Sequence, residues 1–183
     1  MIRIGPPLEV SLDPVAVCDT VKPDNTPHDV ILRSPHAGLH RIEITDGGDY
    51  TRIVWPVAMP VAMPAGLDTP RVKNHFRGAW TLYFYVPKGT RTVTGWASRI
   101  ANWAPRIAGT LADADGTVHL DFATVEDGWF SVPVPVGQDG RCWSFRDSQG
   151  ERLLATVPPL LAISPDRLLL PREVVERDRD GGR

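Results

Sequence analysis

Apolar and polar residues alternate along short stretches of the chain, and this period of two is typical of β-strands with one buried face. In Thr81–Val86 every second residue is large and apolar, namely Leu82, Phe84 and Val86. Another alternating stretch, Arg91–Ala97, follows after the turn sequence PKGT. The two stretches therefore predict a strand, a tight turn and a second strand.

Further strand-like stretches follow at short intervals. They are separated by the turns DADG and PVGQDG and by the loop ATVEDG, whose Gly and Asp residues favour chain reversal. The stretches are residues 106–113, 117–122, 129–134 and 141–145. Short strands joined by Gly- and Pro-containing turns, without a long amphipathic helix, predict an all-β fold, an antiparallel two-sheet β-sandwich.

The earlier part of the chain carries a second hairpin signal. The alternating sequence at 38–46 leads into Gly47–Gly48, and residues 50–57 then read as the partner strand. The tandem repeat VAMPVAMP, residues 57–64, predicts an extended segment at or outside a sheet edge, because proline has no N–H to donate.

These patterns predict three regions. Residues 1–37 are rich in proline and form a predicted N-terminal extension, with a first strand at His28–Pro35. The β-sandwich domain is expected to span 38–171. Residues 172–183 are mostly charged and are expected to form a flexible tail.

Connections between antiparallel strands fall at alternate ends of a sandwich. Counted from Thr81, the short turns DGGD, PKGT, DADG and PVGQDG share the second end, and the longer loops 65–79, 98–105 and 123–128 share the first. Function tends to lie on long loops held by a rigid scaffold, so the first end is the predicted site. Its polar and aromatic residues include Arg71, Lys73, Asn74, His75, Arg77, Arg99, Asn102, Trp103, Glu126 and Asp127.

Six tryptophans are many for 183 residues. An exposed aromatic ring can stack on the apolar face of a sugar, while Asn, Arg and His side chains bind its hydroxyls. Trp103 is the predicted platform, with the alternative that it anchors its loop against the end of the sandwich. The remaining predicted ligand-binding residues are Arg99, Asn102, Asn74, His75 and Trp80.

The other tryptophans are expected to pack. Trp80 and Trp129 start strands at the same end, where either they line one hollow or they cap the core. Trp55, Trp96 and Trp143 lie within predicted strands, and core packing is the expectation for them.

Charge and composition argue against several classes of protein. With 20 Lys and Arg against 22 Asp and Glu, the net charge of -2 argues against nucleic-acid binding. No apolar run reaches the roughly 20 residues of a membrane-spanning helix. Residues 1–15 lack the basic and apolar segments of a signal peptide, so either the protein is cytoplasmic or the sequence is a piece of a longer exported protein, in which case it is extracellular or periplasmic. Cys18 and Cys142 match no metal-binding spacing, which predicts two buried thiols or, alternatively, one disulfide.

The motifs GLHRIEI, WTLYFYVPKGTRTV, DADGTV and WFSVPVPVGQDGRCWSF together carry a resemblance. Between about Gly38 and Pro171 the chain resembles the galactose-binding-like β-sandwich (jelly-roll) modules appended to bacterial glycoside hydrolases and other exported enzymes. The resemblance implies a jelly-roll fold and a non-catalytic binding role. Such modules also hold calcium through Asp, Glu and carbonyl oxygens. The DADGT and GQDG segments offer such oxygens but are also ordinary turns, so a structural calcium stays open.

The sequence contains no GxSxG, HExxH, P-loop or GxGxxG motif. The expected function is therefore a secreted, non-catalytic carbohydrate-binding module that tethers an adjacent or partner enzyme to its glycan. The alternative is a structural or protein-interaction sandwich, with VAMPVAMP and VPPLLAI as the interface. An enzyme with a loop-based hydrolase site is the third hypothesis.

Overall fold

The computed structural model describes residues 8–13, 17–22, 24–33, 37, 38, 40–45, 52–56, 59–67, 78–99 and 106–180. The strands are β1 (Leu8–Asp13), β2 (Val17–Val21), β3 (Arg41–Thr45), β4 (Met63–Pro64), β5 (Trp80–Val86), β6 (Thr92–Ser98), β7 (Ala108–Ala112), β8 (Val118–Asp121), β9 (Gly128–Pro133), β10 (Arg141–Gln149), β11 (Glu151–Leu154) and β12 (Leu160–Leu161). Phe122–Thr124 and Pro165–Arg167 form 3₁₀ helices, and α1 spans Arg172–Arg179. Within the described residues, no helix is long and apolar enough to cross a membrane.

The chain divides into two compact units, Met1–Val54 and Trp55–Arg183. The first, the N-terminal unit, contains an antiparallel sheet with the strand order β2-β1-β3. The segment predicted to be an irregular extension thus contains two strands, and residues 28–33, predicted as the first strand, form none. The alternation in LEVSLD is a strand signal, although prolines at positions 7 and 14 flank it closely.

The predicted hairpin at residues 38–57 is found only in its first half. Arg41–Thr45 forms β3, but this strand pairs with β1, and Ile44 lies opposite Val10. Residues 46–51 lie outside the described part of the chain, and 52–56 form no strand. The structure therefore groups β3 with the N-terminal unit, whereas the sequence analysis places it at the start of the sandwich.

The second unit, the sandwich unit, contains two antiparallel sheets. One has the strand order β5-β10-β7-β8, and the other has the order β11-β6-β9. Aromatic side chains join them, with the rings of Phe130 on β9 and Phe145 on β10 separated by 6.2 Å and nearly perpendicular. The prediction of an all-β, antiparallel two-sheet sandwich is confirmed.

A short ribbon covers one side of the sandwich. β4 pairs with β12, and Ala162, next to β12, exchanges two backbone hydrogen bonds with Tyr83 of β5. At the other end of the ribbon, the N–H of Leu154 on β11 donates to the carbonyl of Ala65. The ribbon thereby contacts an edge strand of each sheet, and protection of exposed edges is a general requirement of sheets. The predicted edge position of the VAMPVAMP segment is confirmed for Met63–Pro64.

Phe145 lies at the centre of the core and is fully buried. Its ring lies 5.0 Å from Phe84, 5.9 Å from Phe122 and 6.3 Å from Trp80, measured between centroids. Edge-to-face and tilted aromatic pairs of this kind add to the burial of their apolar area. The largest fully buried apolar side chains are Trp143, Phe84, Phe122, Phe145, Leu111, Leu154, Leu161, Val86 and Val93.

Arg152 is a buried cation that ties the two sheets together. Only 3% of the residue is exposed, and its guanidinium carbon lies 3.9 Å from the centroid of the Phe122 ring. It donates to the backbone oxygens of Glu151 on its own strand and of Ala108 on β7, each at 2.8 Å. Burial lowers the pKa of Arg152 to about 9, and the aromatic face and the carbonyl oxygens partly replace its lost hydration.

The segment predicted to be a flexible tail forms α1 at residues 172–179, and one carboxylate attaches this helix to the sandwich. Asp178 is 7% exposed. Its Oδ2 accepts hydrogen bonds from the Tyr85 hydroxyl at 2.8 Å and from the Lys88 N–H at 3.0 Å. In return, Lys88 Nζ donates to the Asp178 carbonyl oxygen at 2.6 Å.

This helix attachment predicts a pH-dependent contribution to stability. Burial and the bond to Asp178 raise the pKa of Tyr85 from 10.0 to about 12. The protonated phenol is thus favoured in the folded state, so its stabilisation is complete below pH 10 and is lost as the pH rises towards 12. We expect Tyr85→Phe to lower the free energy of unfolding by about 1 kcal/mol at neutral pH, and the difference from wild type to shrink between pH 10 and pH 12.

Urea denaturation across this pH range checks the prediction. Tyr83→Phe is the matched control, since the Tyr83 hydroxyl has no hydrogen-bond partner among the described residues. Parallel pH profiles for wild type and Tyr85→Phe would contradict the role given to this hydroxyl.

Candidate functional site

The strand pairings confirm the predicted ends for the turns PKGT, DADG and PVGQDG and for the loop 123–128, whereas the DGGD turn lies outside the described residues. β10 runs antiparallel to β5, with Arg141 opposite Val86 and Ser148 opposite Trp80. The DADG and PVGQDG turns therefore lie at the end where β5 finishes, the second end. At the first end, the loop after β6 meets the loop before β9, where the Arg99 N–H donates to Asp127 Oδ1 at 2.9 Å.

At the second end, the turns are joined to one another by hydrogen bonds. Asp115 accepts two hydrogen bonds from Arg141, at 2.9 and 2.6 Å, and one from the Gln138 amide at 2.6 Å. Asp139 accepts from the Gly89 N–H at 2.7 Å. These bonds connect three different turns, and they indicate a structural role for this network.

The carboxylate of Asp113 is also engaged within the protein. It accepts bonds from the backbone N–H groups of Asp115 and Thr117 and from the His119 ring. Burial opposes the ionisation of Asp113, but these hydrogen bonds outweigh it and lower its pKa. Bonds from Arg141 and Gln138 lower the pKa of Asp115 to about 2.

These turns do not fit the calcium site that the resemblance left open. The carboxylates of Asp113, Asp115 and Asp139 already accept hydrogen bonds from protein donors. Among the residues that the structure describes, no group of three or more His, Cys, Asp or Glu side chains is arranged to hold a metal ion.

Four of the predicted ligand-binding residues, Asn74, His75, Asn102 and Trp103, lie outside the described residues. Arg99 is exposed at the first end and pairs with Asp127, with Nε at 3.2 Å from Oδ2. Trp80 packs edge-on against Phe145 and so caps the core. Among the predicted ligand-binding residues that the structure describes, Arg99 is therefore the one exposed to solvent.

Among the described residues, the most exposed large aromatic side chain, Trp129, lies on the outer side of the three-stranded sheet. Trp96 on β6 and Trp129 on β9 are directly opposite each other in the register, with ring centroids 5.7 Å apart and planes at 90°. Trp129 is 60% exposed, an unusual amount for so large an apolar side chain. Sequence analysis expected Trp96 in the core, and this is wrong, because its strand turns Val93, Gly95 and Ala97 inwards instead.

Hydroxyl groups continue this surface along the strands. Thr94 and Ser131 are the next outward pair, and their side-chain oxygens are 3.2 Å apart. We call the outward side chains of Thr94, Trp96, Trp129 and Ser131 the aromatic face. The Arg99–Asp127 pair lies beside it, because Asp127 precedes β9 and Arg99 follows β6. An apolar platform is thereby flanked by hydroxyl, guanidinium and carboxylate groups.

The sequence does contain a signal for this face. Trp96 alternates in phase with Thr92 and Thr94, and Trp129 alternates in phase with Ser131. Because successive side chains point to opposite faces of a strand, a tryptophan in phase with hydroxyl residues lies on the polar face. The pattern identifies each strand's outward side, but the pairing of Trp96 with Trp129 depends on the strand register.

Cys142 and Trp143, which the sequence also singles out, lie on β10. Cys142 is a free thiol that is partly buried, and burial raises its pKa. The disulfide considered from the sequence is therefore absent at Cys142. Trp143 is fully buried, as predicted, with its ring stacked on His119 and its Nε1 donating to the Gln138 carbonyl at 2.8 Å.

Comparison with protein-family models, curated proteins and solved structures gave no match to the chain. The galactose-binding-like resemblance therefore stays a prediction. The geometry of the aromatic face is the observation from which a function is inferred.

The register that forms the aromatic face depends on Gly95. Gly95 lies opposite Phe130, and a Cβ there would overlap the Leu153 carbonyl oxygen and approach the Phe130 ring to 2.6 Å. We expect Gly95→Ala to lower the free energy of unfolding by about 1–3 kcal/mol, as overpacking does in other cores. Chemical denaturation measures the effect.

Thr94→Ala, an outward neighbour on the same strand, is the control and is expected to cost less than about 1 kcal/mol. If Gly95→Ala were as stable as Thr94→Ala, the close approach of Phe130 to β6 would not constrain this sheet.

Proposed function

We propose that the protein is a non-catalytic carbohydrate-binding module whose ligand lies on the aromatic face. The single observation that carries the proposal is the exposed Trp129 held edge-to-face against Trp96. Rigid aromatic side chains bind at low entropic cost, because their position is set before the ligand arrives. Here the register of β6 and β9 supplies that rigidity.

The neighbouring polar groups suit a sugar. A pyranose offers an apolar face of C–H groups and a rim of hydroxyls that both donate and accept hydrogen bonds. Thr94 and Ser131 can do both, Arg99 donates and Asp127 accepts. This combination of an apolar platform with a few polar groups is typical of ligand sites that fix the orientation of their ligand.

The aromatic face lies on the outside of a sheet, and this favours a polymeric glycan over a free monosaccharide, since an open face contacts an extended chain better than it encloses a small molecule. Binding of this kind, together with the resemblance to accessory modules, supports a role in which the module tethers a glycan-active enzyme to its substrate. Such a role implies an adjacent enzyme domain or a partner enzyme, in an exported protein.

Trp129→Ala tests the proposal. Because Trp129 is largely exposed, the variant should fold as the wild type does, with an unchanged far-ultraviolet circular dichroism spectrum. We expect its affinity for the retained glycan to fall by about tenfold or more, the loss of at least 1.4 kcal/mol that a central tryptophan commonly contributes. Affinity electrophoresis on a panel of plant and microbial polysaccharides measures the affinity.

Val136→Ala is the matched control, because Val136 is also an exposed apolar residue but lies in a turn at the second end. If a polysaccharide gel retarded Trp129→Ala and wild type equally, the glycan site would lie outside the aromatic face. The absence of binding across the whole panel would overturn the proposal.

A protein-interaction role is the second candidate, and a specific observation supports it. β9 is the edge strand of its sheet, and edge strands that carry exposed aromatic residues also receive protein partners. The interface expected at VPPLLAI is less suitable, because Val157, Leu161 and Ala162 are buried within the sandwich unit. Concentration-dependent sedimentation that disappears in Trp129→Ala would favour this role over glycan binding.

A further inference from the structure

A second feature of the sandwich unit is a cleft at its second end. It lies between the turn after β5, residues 155–158 and α1, and its volume is about 590 Å³. Ligand sites commonly have volumes of roughly 300–1,000 Å³. The size is therefore sufficient for one or two sugar residues or a comparable ligand.

The cleft is cationic. Lys88, Arg91 and Arg177 line it, and no carboxylate is among its described lining residues. Asp178 lies nearby and engages two of these cations, because Arg177 Nε is 3.7 Å from its Oδ1 and Lys88 Nζ donates to its carbonyl oxygen. The Arg91 side chain is exposed and has no hydrogen-bond or ion-pair partner among the described residues. The cleft is thus suited to a negatively charged group.

The cleft is continuous with the aromatic face. Thr92 lines the cleft and is the outward residue of β6 that precedes Thr94 and Trp96. Thr92 and Trp96 are four positions apart on an extended strand, a distance of about 13 Å. Thr156, another lining residue, accepts a hydrogen bond from the Thr94 N–H at 2.9 Å. A single extended ligand can therefore contact the tryptophans, the hydroxyl pair and the cationic cleft.

We propose that the ligand is an anionic polysaccharide, which stacks on Trp129 and Trp96 and places a carboxylate or sulfate group in the cleft beside Arg91. The inference rests on the proposed glycan-binding function and adds the charge of the ligand. Uronate carboxylates and sulfate esters share the chemistry that a guanidinium recognises, and both accept paired hydrogen bonds from it.

Affinity electrophoresis with charge-matched polysaccharides tests the inference. Polygalacturonate and fully methyl-esterified pectin share a backbone and differ in the carboxylate charge, while carrageenan and agarose supply the sulfate comparison. We expect retention by the acidic member of one pair to exceed retention by its neutral counterpart, and to fall as salt is added. A difference between polygalacturonate and methyl-esterified pectin identifies a carboxylate as the recognised group, and a difference between carrageenan and agarose identifies a sulfate.

Two variants connect the binding to the proposed surface. Arg91→Gln is expected to weaken acidic-glycan binding about two- to fivefold, the range of an exposed ion pair, and to leave neutral-glycan binding unchanged. Trp129→Ala is expected to weaken both. Arg106→Gln removes the same charge from an exposed position before β7, at the first end, and is the control that excludes a general effect of net charge.

Each outcome separates the two proposals. Equal binding of charged and neutral members, with Arg91→Gln unchanged, would overturn the anionic ligand and keep the glycan-binding function. Acidic binding that survives Trp129→Ala would overturn a ligand that spans both surfaces. No retention on any of the four polysaccharides would overturn this inference, and the wider glycan panel would then decide the glycan-binding function separately.

Discussion

The packing around Phe145 is the interaction on which the sandwich unit depends. Its ring contacts aromatic side chains from β5, from β9 and from the 3₁₀ helix after β8, so it joins both sheets at one point. Trp80, at the start of β5, closes the same cluster from the first end. Large buried rings contribute much of the favourable free energy of a core of this size, and here they also determine how the sheets face each other.

This core determines what the outer face presents. Phe130 must point inwards to reach Phe145 and Phe122, and the period of two then turns its neighbours Trp129 and Ser131 outwards. On the paired strand, Gly95 makes room for the Phe130 ring, which places Trp96 and Thr94 on the same outer side. The outward-facing tryptophan pair is therefore a consequence of how Phe130 packs in the core.

The candidate site was predictable in part. Alternation and turn sequences located the strands of the sandwich unit and placed the Arg99 and Asp127 loops at one end, because antiparallel connectivity dictates which connections are neighbours. Trp96 was predicted to lie in the core because tryptophan within a strand is usually buried. It faces outwards because it alternates in phase with Thr92 and Thr94. The cationic cleft was not predictable, since Arg91 and Arg177 are far apart in sequence and meet only where α1 docks through Asp178.

The sequence by itself determined the fold class of the sandwich unit, the identity of most of its turns and the inward side of β5. These are local properties, set by the alternation of side chains and by Gly, Pro and Asp at the reversals. Only the tertiary structure decided that β3 pairs with β1, that the charged C-terminal segment is a docked helix and that Trp96 faces Trp129. Each of these depends on the register or docking of segments distant in sequence, where the free energy comes from long-range packing and leaves no local pattern.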